Sequence, residues 1–439
     1  MFKILISGLC LLVNIQAKSL TGNKVLFLQD KSINSDDYSI FFNDLKERGY
    51  EVENKKASDS DLALLEYEER KYDHIILFSP KTKNFGNGVR VNDFVEFVNK
   101  GGNLVIAASS TISQAYKELG SQFHVTFDNK LTSVIDPFHQ IESENLKSSP
   151  IYSSALTKLN HVVPNKVSEP VLFNGIAHKL QSNPMTFPIL SAEWTAISAE
   201  SDSTSSASPS LYGDDIQLVS GFQALNNARV VISGSINLFS DEYFNTSIES
   251  KDKKSKTSNR VLTQELTKWA FQEKSVLRID SSRHALKKTD EQLDWYRVKD
   301  NITYHINLSQ YTGGIWTKYQ ADQVQLEIVM LDPYIRTNLQ HVSASKGKSS
   351  EYYADLQLPD RYGVFTFKVD YRRPGWSYLL QADVVPIRPL RHNEYPRFLS
   401  AAYPYYTGAI SMSVGFLVFC LVWLYNKDPA DTKQKLKTN

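Results

Sequence analysis

Few side chains in this 439-residue sequence are spaced to share a metal, a proton or a nucleophile. Asp59-Ser60-Asp61 is a D-x-D, the spacing by which some glycosyltransferases hold a metal and a sugar nucleotide. The same residues open "LALLEYEE", which reads as a helix, and Asp61 suits its N-cap. Capping is the better account, because three residues alone do not make a site. Asp136 and His139 in "DPFHQ" could share a metal or a proton relay, but without a third ligand a satisfied turn explains them better. "NFGNGVR" has paired glycines, yet it does not follow the first strand and lacks the dinucleotide pattern. The sequence contains neither a phosphate-binding Walker loop nor a nucleophile elbow. It therefore assigns no catalytic, cofactor-binding or metal-binding residues and implies no cofactor. A net charge of +1 also argues against a nucleic-acid partner.

Topology sets the compartment in which any chemistry would occur. Residues 1–17 combine Lys3, an apolar stretch from Ile4 to Val13 and a small Ala17, the pattern of a removable signal peptide. Tyr405 to Tyr425 carries no charge, and its 21 residues span about 31 Å as a helix, which matches a hydrocarbon core. Tyr403, Tyr405 and Tyr406 at one end, with Trp423 and Tyr425 at the other, form aromatic belts. A cleaved signal then makes this a type I membrane protein, with residues 426–439 as a cytosolic tail. Cys10 falls in the signal and Cys420 in the span, so the lumenal part has no thiol chemistry and folds without disulfides.

The elements that would carry a site divide into two lumenal domains. Over residues 18–275, apolar runs such as "KVLFLQ", "DHIILFSP", "NLVIAAS" and "ARVVISGS" are separated by amphipathic helical patterns at 36–50 and 91–99. Such alternation predicts a parallel sheet covered on both faces, a flavodoxin-like or Rossmann-like α/β domain closed by "VLTQELTKWAFQ". Ligands in these folds sit beyond the carboxyl ends of the strands, which here offer Gln29, Asp30, Ser79, Ser109 and Ser110. "SAESDSTSSASPS" and "SKDKKSKTS" read as surface loops. Over residues 276–403 the period changes to two. Ile302, Tyr304, Ile306 and Leu308 alternate with polar residues, as do Leu326 and Ile328, and Phe365, Phe367 and Val369. That pattern predicts an antiparallel, immunoglobulin-like sandwich. A single transmembrane helix follows over residues 404–425.

Smaller motifs complete the reading. Asn245, Asn301 and Asn307 each begin an N-x-S/T sequon, and the last two fall on the polar face of their strand. Gly408, Ser411 and Gly415 recur at helical spacing, leaving one face of the span small enough for a neighbouring helix. Lys435 and Lys437 form K-x-K-x-x at the end of the tail.

"WYRVKDNITYHINLSQYTGGIW", "VQLEIVMLDPYIR" and "LPDRYGVFTFKVDYRRPGWSYLL", together with "YDHIILFSP" and "FVNKGGNLVIAAS", resemble the DDOST-type non-catalytic subunits of oligosaccharyltransferase. The likeness covers essentially the whole chain. It implies a place in the endoplasmic reticulum complex that transfers a preassembled glycan from dolichol diphosphate to asparagine, with catalysis on a different, multi-spanning subunit. It implies ribophorin-type and defender-against-death-type subunits as partners, and coat proteins reading Lys435 and Lys437 as a dilysine retrieval signal. Two other classes compete: a type I lumenal lectin or cargo receptor, and a membrane-anchored glycosyltransferase using Asp59 and Asp61. The first would need clustered Asp, Asn and aromatic residues in one loop, and the sequence shows no such cluster.

Overall fold

The computed structural model describes residues 19–425 apart from 142–148, 165, 168–169, 201–208, 251–252, 322, 343–348 and 398. The proposed signal peptide and the lysine tail lie outside the described residues.

Five parallel strands form the centre of the first sheet, in the order Glu51–Lys56, Lys24–Gln29, His74–Phe78, Asn103–Ala107 and Arg229–Ser233. Side chains of successive residues point to opposite faces of a strand, so both faces must be covered when every position is apolar. Val25 and Phe27 pack with Phe41, Phe42 and Leu45 of the helix Ser39–Glu47 and with Leu262, Leu266 and Trp269 of the helix Asn259–Ala270. Leu26 and Leu28 pack on the other side with Phe94 and Phe97 of Val91–Asn99 and Tyr116 and Leu119 of Gln114–Gln122. The helical patterns read at 36–50 and 91–99 and the closing helix read at 261–272 correspond to the observed helices Ser39–Glu47, Val91–Asn99 and Asn259–Ala270.

The sheet is mixed rather than purely parallel. Gln217–Gln223 runs antiparallel to Arg229–Ser233, and His178–Leu180, Val125–Phe127 and Thr186–Ser191 extend that side, also antiparallel. The reason is connection length. The chain between Gln223 and Arg229 is too short for a crossover, which takes a dozen or more residues, so only a hairpin can join the two strands.

Two further expectations are corrected. Leu62–Glu69 is not a helix: Leu65–Glu66 pairs with Glu69–Arg70 in a hairpin whose turn residues Tyr67 and Glu68 have φ of 49° and 67°. Leu62 and Leu64 are the buried residues there, a spacing of two that suits extended chain rather than a helical face. The lysine-rich stretch is not a plain loop, because Lys253–Lys256 pairs antiparallel with Ser247–Ser250. Of the serine-rich stretch, Ser198 belongs to the strand Ile197–Glu200, and residues 201–208 lie outside the described residues.

Beyond Phe271 the structure is almost entirely strand. One sheet runs Lys274–Leu286, Asn301–Thr312, Ser350–Gln357 and Gln340–Val342, with Ile315–Lys318 also paired to Asn301–Thr312. The other runs Tyr296–Arg297, Leu379–Arg388, Gly363–Tyr371, Gln325–Met330 and Asp332–Asn338. Ile302, Tyr304, Ile306 and Leu308 from the first meet Leu326, Ile328, Phe365, Phe367 and Val369 from the second in one core. All the alternating positions read from the sequence face inward. The helix Tyr403–Tyr425 follows. Among the described residues it is the one helix long and apolar enough to cross a membrane, and no other described element covers it.

Candidate functional site

In the parallel sheet the chain reverses direction between Lys24–Gln29 and His74–Phe78, since Glu51–Lys56 lies on one side of the first strand and His74–Phe78 on the other. Open sheets of this kind leave a crevice there, at the carboxyl ends of the strands. Here the chain's own bonds close that point. The buried Asp30 carboxylate accepts from the Lys81 backbone N–H at 2.9 Å and from the Thr82 hydroxyl, and the Asp30 N–H donates to the Phe78 carbonyl at 3.2 Å. The Ser79 N–H donates to the Tyr116 hydroxyl at 2.7 Å.

Two clefts flank this knot. One, of about 240 Å³, is lined by Tyr38, Ser109, Ser110, Asn174 and Asn237; the other, of about 310 Å³, by Gln29, Ser58, Thr82 and Lys83. Asp30, Ser32 and Lys81 border both. Gln29 Oε1 is buried without a hydrogen-bond partner, and the Ser109 hydroxyl bonds Thr111 at 3.1 Å. Hydroxyls and amides dominate, and no histidine lines either cleft. The arrangement suits binding of a polar group. The Thr82 hydroxyl, which lines the second cleft, is engaged by the Asp30 carboxylate.

The paired carboxylates of the D-x-D turn to different partners. Asp59 Oδ2 accepts from the Lys56 backbone N–H at 2.9 Å. Asp61 is exposed and lies 3.5 Å from Lys55, whose ammonium also reaches Glu53 at 3.3 Å. Asp136 is buried, and its carboxylate accepts from Thr195 at 2.7 and 2.8 Å, from the Phe138 backbone N–H at 3.0 Å and from His139 Nδ1 at 2.8 Å. Burial pushes this carboxyl up, but the Thr195, Phe138 and His139 hydrogen bonds outweigh it and hold the pKa below the usual range. The motif is the satisfied turn expected from the sequence. Among the described residues no three of His, Cys, Asp and Glu gather as a metal site.

Asn245 is exposed at the end of the short helix Asp241–Asn245, and Asn301 is exposed at the start of its strand. Asn307 is half-buried in the same strand and its amide donates to Ser281 Oγ at 2.9 Å. On the apolar helix, a Cβ at Gly408 or Gly415 would meet no described atom beyond its own helix, while the Ser411 hydroxyl donates to its own helix at Gly408 O, 2.9 Å away.

The sequence reading missed the junction between the two domains. Arg229 heads the central strand and is fully buried, 5.0 Å over the Trp269 ring. Its guanidinium donates to the carbonyls of Trp269 (2.8 Å), Lys274 (2.8 Å) and Ser275 (2.6 Å), and to Ser377 Oγ at 3.3 Å. Burial lowers its pKa to about 9, so it stays charged at neutral pH. Trp269 Nε1 donates to Gly375 O at 2.8 Å, Gln223 to Trp376 O at 2.7 Å, and the Tyr378 N–H to Asn227 Oδ1 at 2.6 Å. The loop of residues 374–378 is thereby set into the base of the first domain. A lone arginine opening the otherwise apolar "RVVIS" was the only hint in the sequence.

A mixed α/β domain locked to a β-rich domain, followed by one uncovered apolar helix, defines a two-domain protein built to sit at a membrane. Residues 16–273 match the OST48 N-terminal domain and residues 284–427 the OST48 middle domain. The chain belongs to the OST48 family, as its resemblance indicated. It is 37% identical over 416 residues to the zebrafish (Danio rerio) dolichyl-diphosphooligosaccharide–protein glycosyltransferase 48 kDa subunit, covering 93% of each chain. The proteins of the same name from Arabidopsis thaliana and Drosophila melanogaster are 36% and 35% identical, over 93% and 98% of this chain and 94% and 97% of theirs. Among solved structures, a ThuA-like protein from Parabacteroides merdae superposes with a TM-score of 0.30 at 12% identity, covering 57% of this chain and 89% of that one. That likeness is too slight to build on.

Proposed function

We propose that this protein is a non-catalytic, assembly-supporting subunit of the endoplasmic reticulum oligosaccharyltransferase, the complex that transfers a preassembled glycan from dolichol diphosphate to asparagine. The observation that carries it is family membership over nearly the full length of relatives named as that complex's 48 kDa subunit. The separation of Asp59 from Asp61 and the internal satisfaction of Asp136 agree with a supporting role. Catalysis belongs to a multi-spanning subunit, with ribophorin-type and defender-against-death-type subunits as neighbours. Depletion should lower sequon occupancy on many secretory proteins several-fold while the attached glycan keeps its composition. Asp59→Ala with Asp61→Ala should restore occupancy as fully as the unaltered chain. A stable, assembled double variant that fails to restore it would establish chemistry at these carboxylates.

The reading includes a type I topology: signal peptide 1–17, lumenal domains 18–275 and 276–403, span 404–425 and cytosolic tail 426–439. The strand order of the parallel core supports a flavodoxin-like first domain, and two facing sheets with a shared core support an immunoglobulin-like second. Asn245 and Asn301, both exposed, carry glycans, and Asn307 is the poorer acceptor because the sheet already engages its amide. Asn245→Gln and Asn301→Gln should each remove one glycosidase-sensitive step in gel mobility, whereas Asn307→Gln should remove none.

Lys435 and Lys437 act as the retrieval signal. With the span and tail fused to a neutral reporter, Lys435→Ser plus Lys437→Ser should send most of the reporter past the Golgi; equal retention by both tails would remove the signal from this reading. Gly408, Ser411 and Gly415 form the span's close-approach face. Gly415→Leu should lower recovery of the membrane subunits, and Leu417→Ile should not. Equal recovery would leave assembly to the lumenal domains.

A further inference from the structure

The two outer faces of the β-rich domain are chemically opposite. On the sheet containing Asn301–Thr312, the outward side chains are polar and paired: Thr303 donates to Asp355 at 2.7 Å, Lys287 bonds Asp355 at 2.8 Å, and His305 bonds Glu351 at 2.9 Å. That face also carries the sequons at Asn301 and Asn307. The opposite sheet turns out an apolar corner. Val364, Leu380 and Val384 are 59%, 61% and 66% exposed, and Pro386, also exposed, lies opposite Val364 in register. Tyr362 and Leu331 extend the corner at 69% and 99% exposure. Leu331 sits in the tight turn after Met330, whose sulfur would lie 2.6 Å from a Cβ at Gly363. Water is a poor partner for a contiguous surface of this kind, and on a stable protein it marks a binding site.

Three observations decide the occupant. The strand Leu379–Arg388 leads from the corner toward the membrane helix. Arg388 holds Glu394 with two bonds of 2.7 Å, so the chain from Glu394 to Tyr403 spans at most about 31 Å even when extended. The corner is therefore tethered near the membrane, and whatever covers it must also lie there. Its rim carries both signs in ion pairs rather than a block of free cations: Glu327 pairs with Arg336 at 2.7 Å, and Asp370 with Arg372 at 2.8 Å and Lys368 at 3.3 Å. Attraction to anionic lipid needs a cationic excess, whereas an apolar centre with a polar rim is the anatomy of a protein interface. The face with the sequons at Asn301 and Asn307 is on the far side of the sandwich, so glycans there would leave this face free to be covered.

We propose that the corner formed by Tyr362, Val364, Val384, Pro386 and Leu331 is the docking surface for the lumenal part of another membrane-anchored subunit, one that presents an uncharged apolar surface of its own. This rests on the reading of the chain as an oligosaccharyltransferase subunit. The test uses the full-length tagged chain in cells, purified in mild detergent. Val364→Asp with Val384→Asp should reduce co-purifying membrane-anchored subunits at least ten-fold without shifting the protein's own thermal midpoint. Gln357→Glu, on the opposite face, should recover them like the unaltered chain. If the unaltered chain brings down no oligosaccharyltransferase subunit, the functional reading itself fails. If it does and the double variant recovers them equally, the corner is not the contact and the proposal fails alone. An environment-sensitive label on Val384→Cys in the assembled complex should be shielded from both aqueous iodide and lipid-borne quenchers. Quenching from lipid would mean that the corner rests on the bilayer. Loss only of pairing between two differently tagged copies of this chain would mean that it binds itself. Either result overturns the proposal.

Discussion

Arg229→Met should destabilise the protein by about 4 kcal/mol and divide one unfolding transition into two. The substituted side chain fills much of the same space, and exchanging a buried charge for a hydrophobe is often harmless when its partner is exchanged as well. Here the partners remain. The carbonyls of Trp269 and Ser275 would keep the backbone N–H groups of Gln272 (3.1 Å) and Ser377 (3.2 Å), but all three carbonyls would lose a charge-assisted hydrogen bond, worth about 1.5–3 kcal/mol each before the neighbours relax. Two of these carbonyls lie where the helix Asn259–Ala270 ends and the strand Lys274–Leu286 begins, so the loss falls on the hinge between the domains. The loop at 374–378 has no spare freedom to compensate: Gly375 has φ of 79°, and a Cβ there would lie 2.5 Å from Val162 and 2.6 Å from His161. Arg229→Lys keeps the charge but not the forked donor geometry, and should recover less than half of the loss. Calorimetry of the full-length protein in detergent, with limited proteolysis between residues 270 and 280, is the measurement. A single transition at the unaltered midpoint would show that Arg229 does not hold the domains together.

Gly234→Val should be comparably severe, for a different reason. The strand Arg229–Ser233 ends against the segment that follows Val171–Phe173, and a Cβ at Gly234 would lie 2.0 Å from the Ile176 carbonyl oxygen. The approach is reciprocal, since a Cβ at Gly175 would lie 2.1 Å from the Gly234 carbonyl. Backbone atoms cannot swing aside as a lysine tip can, so the two segments must part. That would break the hydrogen bond from the Ile176 N–H to Gly234 O, 2.9 Å long, and the one from the Gly234 N–H to Leu218 O, 3.0 Å long. Overpacking costs about 1–3 kcal/mol and each lost buried bond adds to it, for a total on the order of 4 kcal/mol. The segments that follow these two strands supply Asn174 and Asn237 to the cleft, so any ligand bound there should be lost as well. Gly234→Ala, with a smaller intrusion but the same Cβ, should lose more than half as much stability. A thermal midpoint for Gly234→Ala within 2 °C or so of the unaltered protein would show that the contact relaxes.

These positions mark the division between what the sequence determined and what only the tertiary structure decided. Hydrophobic period is a local property, so "KVLFLQ", "DHIILFSP", "NITYHINLS" and "FTFKVDY" could be assigned their faces without knowing their neighbours, and the structure buries those faces. The membrane helix was legible for the same reason, since length and absence of charge suffice. Leu62–Glu69 was misread because two turns of apolar residues support either helix or hairpin, and the choice was made by burial of Leu62 and Leu64 against the second core. The antiparallel half of the first sheet depended on which strands met, a long-range matter that no window of sequence contains. The surroundings of Asp136 were readable in part. The sequence could show that Asp136 and His139 had no third ligand nearby, but only the fold could show Thr195, fifty-nine residues away, occupying the carboxylate. Arg229 is the sharpest case. Its carbonyl acceptors lie 40 to 46 residues away and its Ser377 acceptor 148 away, so nothing near it in the chain indicates that a buried cation is held there. The sequence set the period and the polarity of each element; packing alone chose the partners of every buried charge.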